Sequence, residues 1–278
     1  MRVLVFGASG MLGQDLVHAF SGDAVTGLGS KEANLCDAEQ VLSAVRLARP
    51  DWIVLSAAYT DVDGCEKDPA KAFAVNRDGA LHVAFAAKHV GSRLLFLSSD
   101  YVFDGTKSTP YETSNPRNPI NVYGRSKAEA ESRLLEIVPD CCIVRASWLF
   151  GAGGKCFPDT ILRLAQKQPE LRVVNDQHGC PTYTVDLADA IGNLTRKQAT
   201  GIVHVTNSGS CSWFEFARAI LAARNPQTKV IPVTTGEFLR PAKRPAYSVL
   251  SNRSLQTFGI QLPDWQDALT RYLSQRND

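Results

Sequence analysis

The feature that most restricts this chain stands at its start. Arg2-Val-Leu-Val-Phe is an apolar run, and Gly7-Ala-Ser-Gly10-Met-Leu-Gly13 follows directly, leading into helical periodicity over residues 12–20. A strand, a glycine turn spaced G-x-x-G-x-x-G and a helix start, in that order, leave little choice of fold. Glycine accepts backbone angles that other residues avoid and lets a ligand come close. The helix start adds free N–H groups and a partial positive charge, which attract phosphate oxygens. Glycine turns also occur without a ligand; the strand before this one and the helix after it favour a bound dinucleotide. The backbone at Gly7, Gly10, Met11, Leu12 and Gly13 is expected to hold its pyrophosphate.

The alternation continues. Apolar runs at 24–28, 52–57, 94–98 and 142–144 are separated by segments of helical period at 38–48, 70–88 and 122–137. Near-continuous apolar strands divided by helices indicate a parallel sheet covered on both faces, the α/β doubly wound Rossmann arrangement. After about residue 147 prolines punctuate the chain and the alternation weakens. Helices are still predicted at 186–194, 213–223 and 265–273, and the runs 171–174 and 202–205 are expected to add strands to the sheet. The division expected is a dinucleotide-binding domain over 1–150, with added elements from about 171–210. A smaller C-terminal lobe, mainly for substrate, spans 151–278 and is interleaved with it.

Charge and cysteine content narrow the function. A net charge of +2 gives no basis for nucleic-acid binding or for adhesion to a membrane surface. No apolar run approaches the ~20 residues of a membrane span, and the first residues enter a strand rather than a signal peptide. The seven cysteines are odd in number and contain no C-x-x-C pair. That pattern suits neither zinc nor a disulfide framework and points to reduced thiols in a cytoplasm.

The end of the second strand commonly chooses the dinucleotide, because an acid there binds the ribose 2′-hydroxyl and repels a 2′-phosphate. Here it reads Leu28-Gly29-Ser30-Lys31-Glu32. Gly29 replaces the acid, and Ser30 and Lys31 suit a phosphate, so NADPH is expected; Glu32 close by keeps NADH as the alternative. Lys31 read alone is equally a solvated surface lysine.

Asn121-Val-Tyr123-Gly-Arg-Ser-Lys127 opens a predicted helix, so Tyr123 and Lys127 share one face. An ammonium beside a phenol lowers its pKa and makes Tyr123 a proton donor to a carbonyl under reduction. Ser99 ends the predicted strand 94–98 and offers a hydroxyl to the same oxygen. Tyr-x-x-x-Lys alone is common, but the three groups in order on one fold are not. Ala57, Ala58 and Tyr59, ending the third strand, would let the cofactor lie close, with Thr60 and Asp61 within reach of substrate. For Asp61 helix capping is an equal reading.

Together these residues resemble the extended short-chain dehydrogenases, and within them the dTDP-4-dehydrorhamnose reductase family. The resemblance covers nearly the whole chain. It includes Ala57-Ala-Tyr-Thr-Asp-Val-Asp63, Ser98-Ser-Asp-Tyr-Val-Phe-Asp-Gly105, Arg145-Ala-Ser-Trp148 and Asp176-Gln-His-Gly-Cys-Pro-Thr182. Its specific part lies further on, in Cys211-Ser-Trp213, Arg240-Pro-Ala-Lys-Arg-Pro-Ala-Tyr-Ser248 and Leu262-Pro-Asp-Trp265. The resemblance implies Ser99, Tyr123 and Lys127 as the catalytic set. It also implies hydride transfer from NAD(P)H to C4 of dTDP-4-dehydro-L-rhamnose, a step of dTDP-rhamnose synthesis for cell-surface polysaccharide. Lys127 would hold the nicotinamide ribose. Asp100, Tyr101 and Trp148 would meet the sugar, and Arg240 and Lys243 the diphosphate.

Two departures from the family pattern stand out. An Asp-Leu/Ile-Thr/Ser stretch near the adenine is here Asn34-Leu35-Cys36, whose amide and backbone still offer hydrogen bonds. Some members bridge a monomer–monomer contact with Mg²⁺; Asp15 matches one ligand, but Val185 stands where another is expected, which argues against a metal-bridged homodimer. A 4,6-dehydratase would need an Asp-Glu pair where this chain has Asp100-Tyr101. A sugar epimerase and a non-catalytic regulatory subunit of the same fold are the remaining rivals.

Overall fold

The computed structural model describes residues 1–276. Strands Arg2–Phe6 (β1), Ala24–Leu28 (β2), Trp52–Leu55 (β3), Arg93–Ser99 (β4), Cys142–Ala146 (β5) and Gly201–His204 (β6) form one sheet, ordered β6-β5-β4-β3-β1-β2. All its pairings are parallel. The helices are Met11–Ala19 (α1), Ala38–Ala48 (α2), Val62–Lys67 (α3), Pro69–Phe73 (α4), Gly79–Val90 (α5) and Val122–Ile137 (α6). Phe157–Ala165 (α7), Thr184–Arg196 (α8), Trp213–Arg224 (α9), Arg253–Gln256 (α10) and Trp265–Ser274 (α11) follow.

Alternate side chains of the central strands enter opposite cores, which is why these strands read as unbroken apolar runs. Val3 and Val5 pack with Leu16, Leu187 and Ile191, while Leu4 and Phe6 pack with Val41, Val83 and Leu134. The fold is the doubly wound α/β arrangement expected. Because β1 has β2 on one side and β3 on the other, sheet growth reverses there. A crevice opens at the carboxyl ends of those strands.

The strand expected near 202–205 does join the sheet, as β6 beside β5. The run 171–174 does not: Glu170–Val174 pairs with Lys229–Val233 in a separate two-stranded sheet. Only one of its faces is covered, since Leu171 and Val173 are buried while Glu170 and Arg172 are exposed. A central strand of the main sheet would bury both. That small sheet, α7, α9 and α11 enclose a further core around Phe150, Tyr183, Phe216 and Trp265. The segment 70–88, predicted as one helix, is interrupted by a π-helical turn at Ala74–Asp78. The turn buries Asn76. Helix α7 went unpredicted because Pro158 reads as a breaker, yet proline in a first helical turn is a starting signal. Among the described residues, no helix is long and apolar enough to cross a membrane.

Candidate active site

The glycine turn is shaped by close backbone approach. Gly7 has φ +91°, and a Cβ on it would stand 2.6 Å from Ala57 N, at the end of β3. A Cβ on Gly13 would meet the Gly7 carbonyl oxygen at 1.9 Å. Gly10 caps α1 with no side-chain hydrogen bond, so the first-turn N–H groups are not consumed by a cap. This cradle, bare of side chains and ending on a helix N-terminus, fits a dinucleotide pyrophosphate.

Beyond β2, the Gly29 N–H donates to Glu32 Oε2 at 2.9 Å. The acid that kept NADH in question is thus folded back on its own turn. Ser30 and Lys31 are exposed beside it. Leu35 is buried against Gly79 and contributes its carbonyl to His82 Nδ1 at 2.7 Å. The exposed Cys36 donates its N–H to Asn34 Oδ1, so asparagine does close the turn that the family builds with aspartate. Ala57 and Ala58 are half-buried. Tyr59 is held on both backbone atoms by Asn76, which accepts from its N–H at 2.7 Å and donates to its carbonyl at 3.1 Å. Asn76 also donates to Ser126 on α6, locking the end of β3 to the catalytic helix. A lone asparagine in a helical stretch has no periodicity to announce it, and the sequence reading missed it.

Ser99, Tyr123 and Lys127 line one cavity of about 310 Å³ with Met11, Ala58, Thr60, Tyr101 and Trp148. The arrangement follows from local rules. Asn121 caps α6 by accepting from Gly124 N–H at 2.7 Å, which sets where the helix begins and so where Tyr123 points. Lys127, one turn on, donates to the Leu97 carbonyl at 2.8 Å and lies over the Phe96 ring.

The electrostatics correct one expectation. Burial pushes the Tyr123 phenol up, and a hydrogen bond to Ser99 only partly opposes this. Burial pushes Lys127 down to about 7, with Glu131 opposing. Lys127 is therefore not holding Tyr123 below its ordinary value. Its ammonium is engaged by the Leu97 carbonyl, and burial works against its charged form.

The remaining expected residues divide. Thr60, Tyr101 and Trp148 face the cavity. Asp61 is spent as the N-cap of α3, accepting from Gly64 N–H at 2.9 Å, and does not line it. Asp100 is 2% exposed and engaged by Ser99 and Ser248. Arg240 lines a second cavity of about 370 Å³; Asp63 pairs closely with Arg244 at 2.8 Å and more loosely with the half-exposed Arg240 at 3.6 Å. Lys243 is exposed, and what it offers the site is its carbonyl, which accepts from Asn121 Nδ2.

Tyr101 and Trp213 line both cavities, so the two lie side by side. Trp213 stacks on Trp148 with ring centroids 3.5 Å apart. Trp148 has φ +48°, a left-handed conformation uncommon outside glycine. Its ring leaves no room for a side chain at residue 179, where a Cβ would approach it to 2.4 Å. Trp213, Arg172, Gln177 and Lys155 also line these cavities and were absent from the expected set. They come from elements distant in sequence; Trp213 stands at the start of a predicted helix and in the Cys211-Ser-Trp213 motif, and the structure adds that Ser212 caps that helix.

Comparison with known proteins gives a consistent result. A family model described as the RmlD substrate binding domain matches residues 1–277. The spore coat polysaccharide biosynthesis protein SpsK of Bacillus subtilis is 42% identical, over 99% of this chain and 98% of its own. A dTDP-4-dehydrorhamnose reductase of Streptomyces griseus is also 42% identical, over 97% and 92%. The crystal structure of a dTDP-4-dehydrorhamnose reductase from Bacillus anthracis, in complex with NADP, superposes with a TM-score of 0.96 at 38% identity, covering 99% of both chains.

Proposed function

Because the chain belongs to the dTDP-4-dehydrorhamnose reductase family, within the extended short-chain dehydrogenases, we propose that it reduces the C4 keto group of dTDP-4-dehydro-L-rhamnose to give dTDP-L-rhamnose. The observation that carries this reading is the convergence of Ser99, Tyr123 and Lys127 in a cleft reached from the glycine cradle. The dihydronicotinamide, when bound, supplies the hydride. Tyr123 gives its phenolic proton to the new C4 oxygen, while Ser99 hydrogen-bonds that oxygen as charge develops on it. Lys127, pinned to the Leu97 carbonyl at 2.8 Å, presents positive charge below this pair. The Trp148–Trp213 stack walls the sugar, and the cavity with Phe157, Arg172 and Arg240 takes the nucleoside diphosphate. In this reading residues 1–150 with 184–204 carry the cofactor, and the rest of 151–278 serves mainly the substrate.

NADPH is the donor we assign. Glu32 is engaged by its own turn, which leaves Lys31 as the outward charge for a 2′-phosphate. Lys31→Ala is expected to raise the Kd for NADPH about tenfold, roughly the ~1.4 kcal/mol of one exposed charge-assisted contact, and to leave that for NADH nearly unchanged. Fluorescence titration with both dinucleotides checks this. The unpaired cysteines accord with a reducing cytoplasm. We assign no Mg²⁺ site. Asp15 faces Thr184 and Asp189, and Val185 stands where a second acidic ligand would be expected. The assignment leaves the protein a monomer or a metal-free homodimer.

The deciding experiment follows absorbance at the nicotinamide band with the 4-keto sugar. One NADPH oxidised per sugar reduced is expected. Interconversion of sugars with no net cofactor use would indicate an epimerase instead. Tight NADPH binding with no turnover would indicate a regulatory subunit.

A further inference from the structure

Asp100 is the residue whose surroundings the reaction above does not explain. It follows Ser99 at the end of β4 and is 2% exposed, yet its carboxyl meets no cation. Ser99 Oγ lies 2.9 Å from Oδ1, and Ser248 Oγ donates to Oδ2 at 2.5 Å. Ser248 comes from the distant 240–248 segment, which Asp63 anchors through Arg244 and the Ala242 N–H. The titratable groups around Asp100 are Tyr101, Tyr123 and Cys180, all pushed up by burial and neutral. The charged pair Arg244–Asp63, which faces Tyr101, is closed on itself at 2.8 Å.

A serine hydroxyl has one proton to give. With Asp100 ionised, that proton is committed to Oδ1, while Ser99 Oγ also accepts from the Tyr101 N–H at 3.1 Å. A serine in this state has nothing to donate to a substrate oxygen. We propose that Asp100 is a positioning residue that sets the direction of the Ser99 hydroxyl: as a neutral acid it donates to Ser99 Oγ and frees the Ser99 proton for the substrate carbonyl, and as a carboxylate it withdraws that proton. Ser248, donating to Oδ2, leaves Oδ1 as the oxygen to be protonated, so the acid proton faces Ser99. One proton leaves Asp100 for solvent when it ionises and returns when it is neutralised, and the O–H···O contact with Ser99 reverses its direction each time. Burial raises this carboxyl to about 7, well above an ordinary aspartate. The donor-competent form is therefore complete below neutrality and is lost as pH rises through that value.

The inference rests on the reductase reading, and its test has one arm that does not. In kcat/KM against pH, two groups are expected to switch the wild type off above pH 7: Asp100 on ionising and Lys127 on losing its charge. The decline should then approach about a hundredfold per pH unit, against about tenfold for Asp100→Asn, which keeps a donor to Ser99 at every pH. Ser248→Ala removes a hydrogen bond that favours the carboxylate, so the Asp100 part of its decline should move to higher pH while the Lys127 part stays in place. Equal slopes in wild type and Asp100→Asn would overturn the proposal and leave Lys127 alone responsible. Independently of any substrate, the infrared band of a protonated carboxylic acid should be present at pH 6, fade near 7 and be missing from Asp100→Asn. Its absence at pH 6 would overturn the proposal even in an active enzyme. A band that titrates as expected in a protein that never oxidises NADPH with the keto sugar would instead count against the reductase reading.

Discussion

Replacing Tyr123 with phenylalanine is expected to lower kcat by about 10²–10⁴, the usual worth of a positioned general acid. The ring is the part of Tyr123 that packs, against Tyr101 at 6.0 Å and beside Cys65 and Val122. The hydroxyl contributes only its bond to Ser99. Removing one oxygen should therefore leave folding and NADPH affinity intact while the proton has no donor. Stopped-flow measurement of the first turnover checks this, because a loss in product release would spare the hydride step. A variant retaining near-wild-type turnover would assign the proton transfer to another group.

The second large effect is on stability. Glu131 and Arg145 are buried under the site, with Glu131 accepting from Arg145 at 2.9 and 2.6 Å and from Ser98 at 2.5 Å. Arg117 adds a partly exposed contact at 3.2 Å. Arg145→Met would strand the carboxylate, and removing one partner of a buried pair costs about 3–5 kcal/mol. Replacing both partners, as Arg145→Met with Glu131→Leu, removes the stranded carboxylate itself and should recover much of that loss. Urea denaturation of the two variants makes the comparison. If the double variant were as unstable as the single, packing rather than the stranded charge would be responsible.

Much of this was legible because the first half of the fold is local. Strand, glycine turn and helix are consecutive, and Ser99, Tyr123 and Lys127 sit at element ends that hydrophobic periodicity locates. What escaped depends on partners far away in the chain. Nothing around Leu171 announces that its neighbour is Val230 rather than the central sheet. Nothing around Arg240 announces Asp63, an acid far earlier in the chain that pairs with it at 3.6 Å. The expected influence of Lys127 on Tyr123 failed for another reason: burial, which spacing does not report, outweighs the charge one helical turn away.

The position of β6 bears on how the chain is made. The outer edge of β5 is closed by residues 201–204, and α8 covers the face that includes Val3 and Val5. During synthesis, the first 150 residues leave the ribosome with an unpaired strand edge and an apolar face that α1 covers only in part, both invitations to association with other chains. The sheet cannot be completed until more than fifty further residues have emerged. The nascent protein therefore carries that open edge until its own second half arrives to close it.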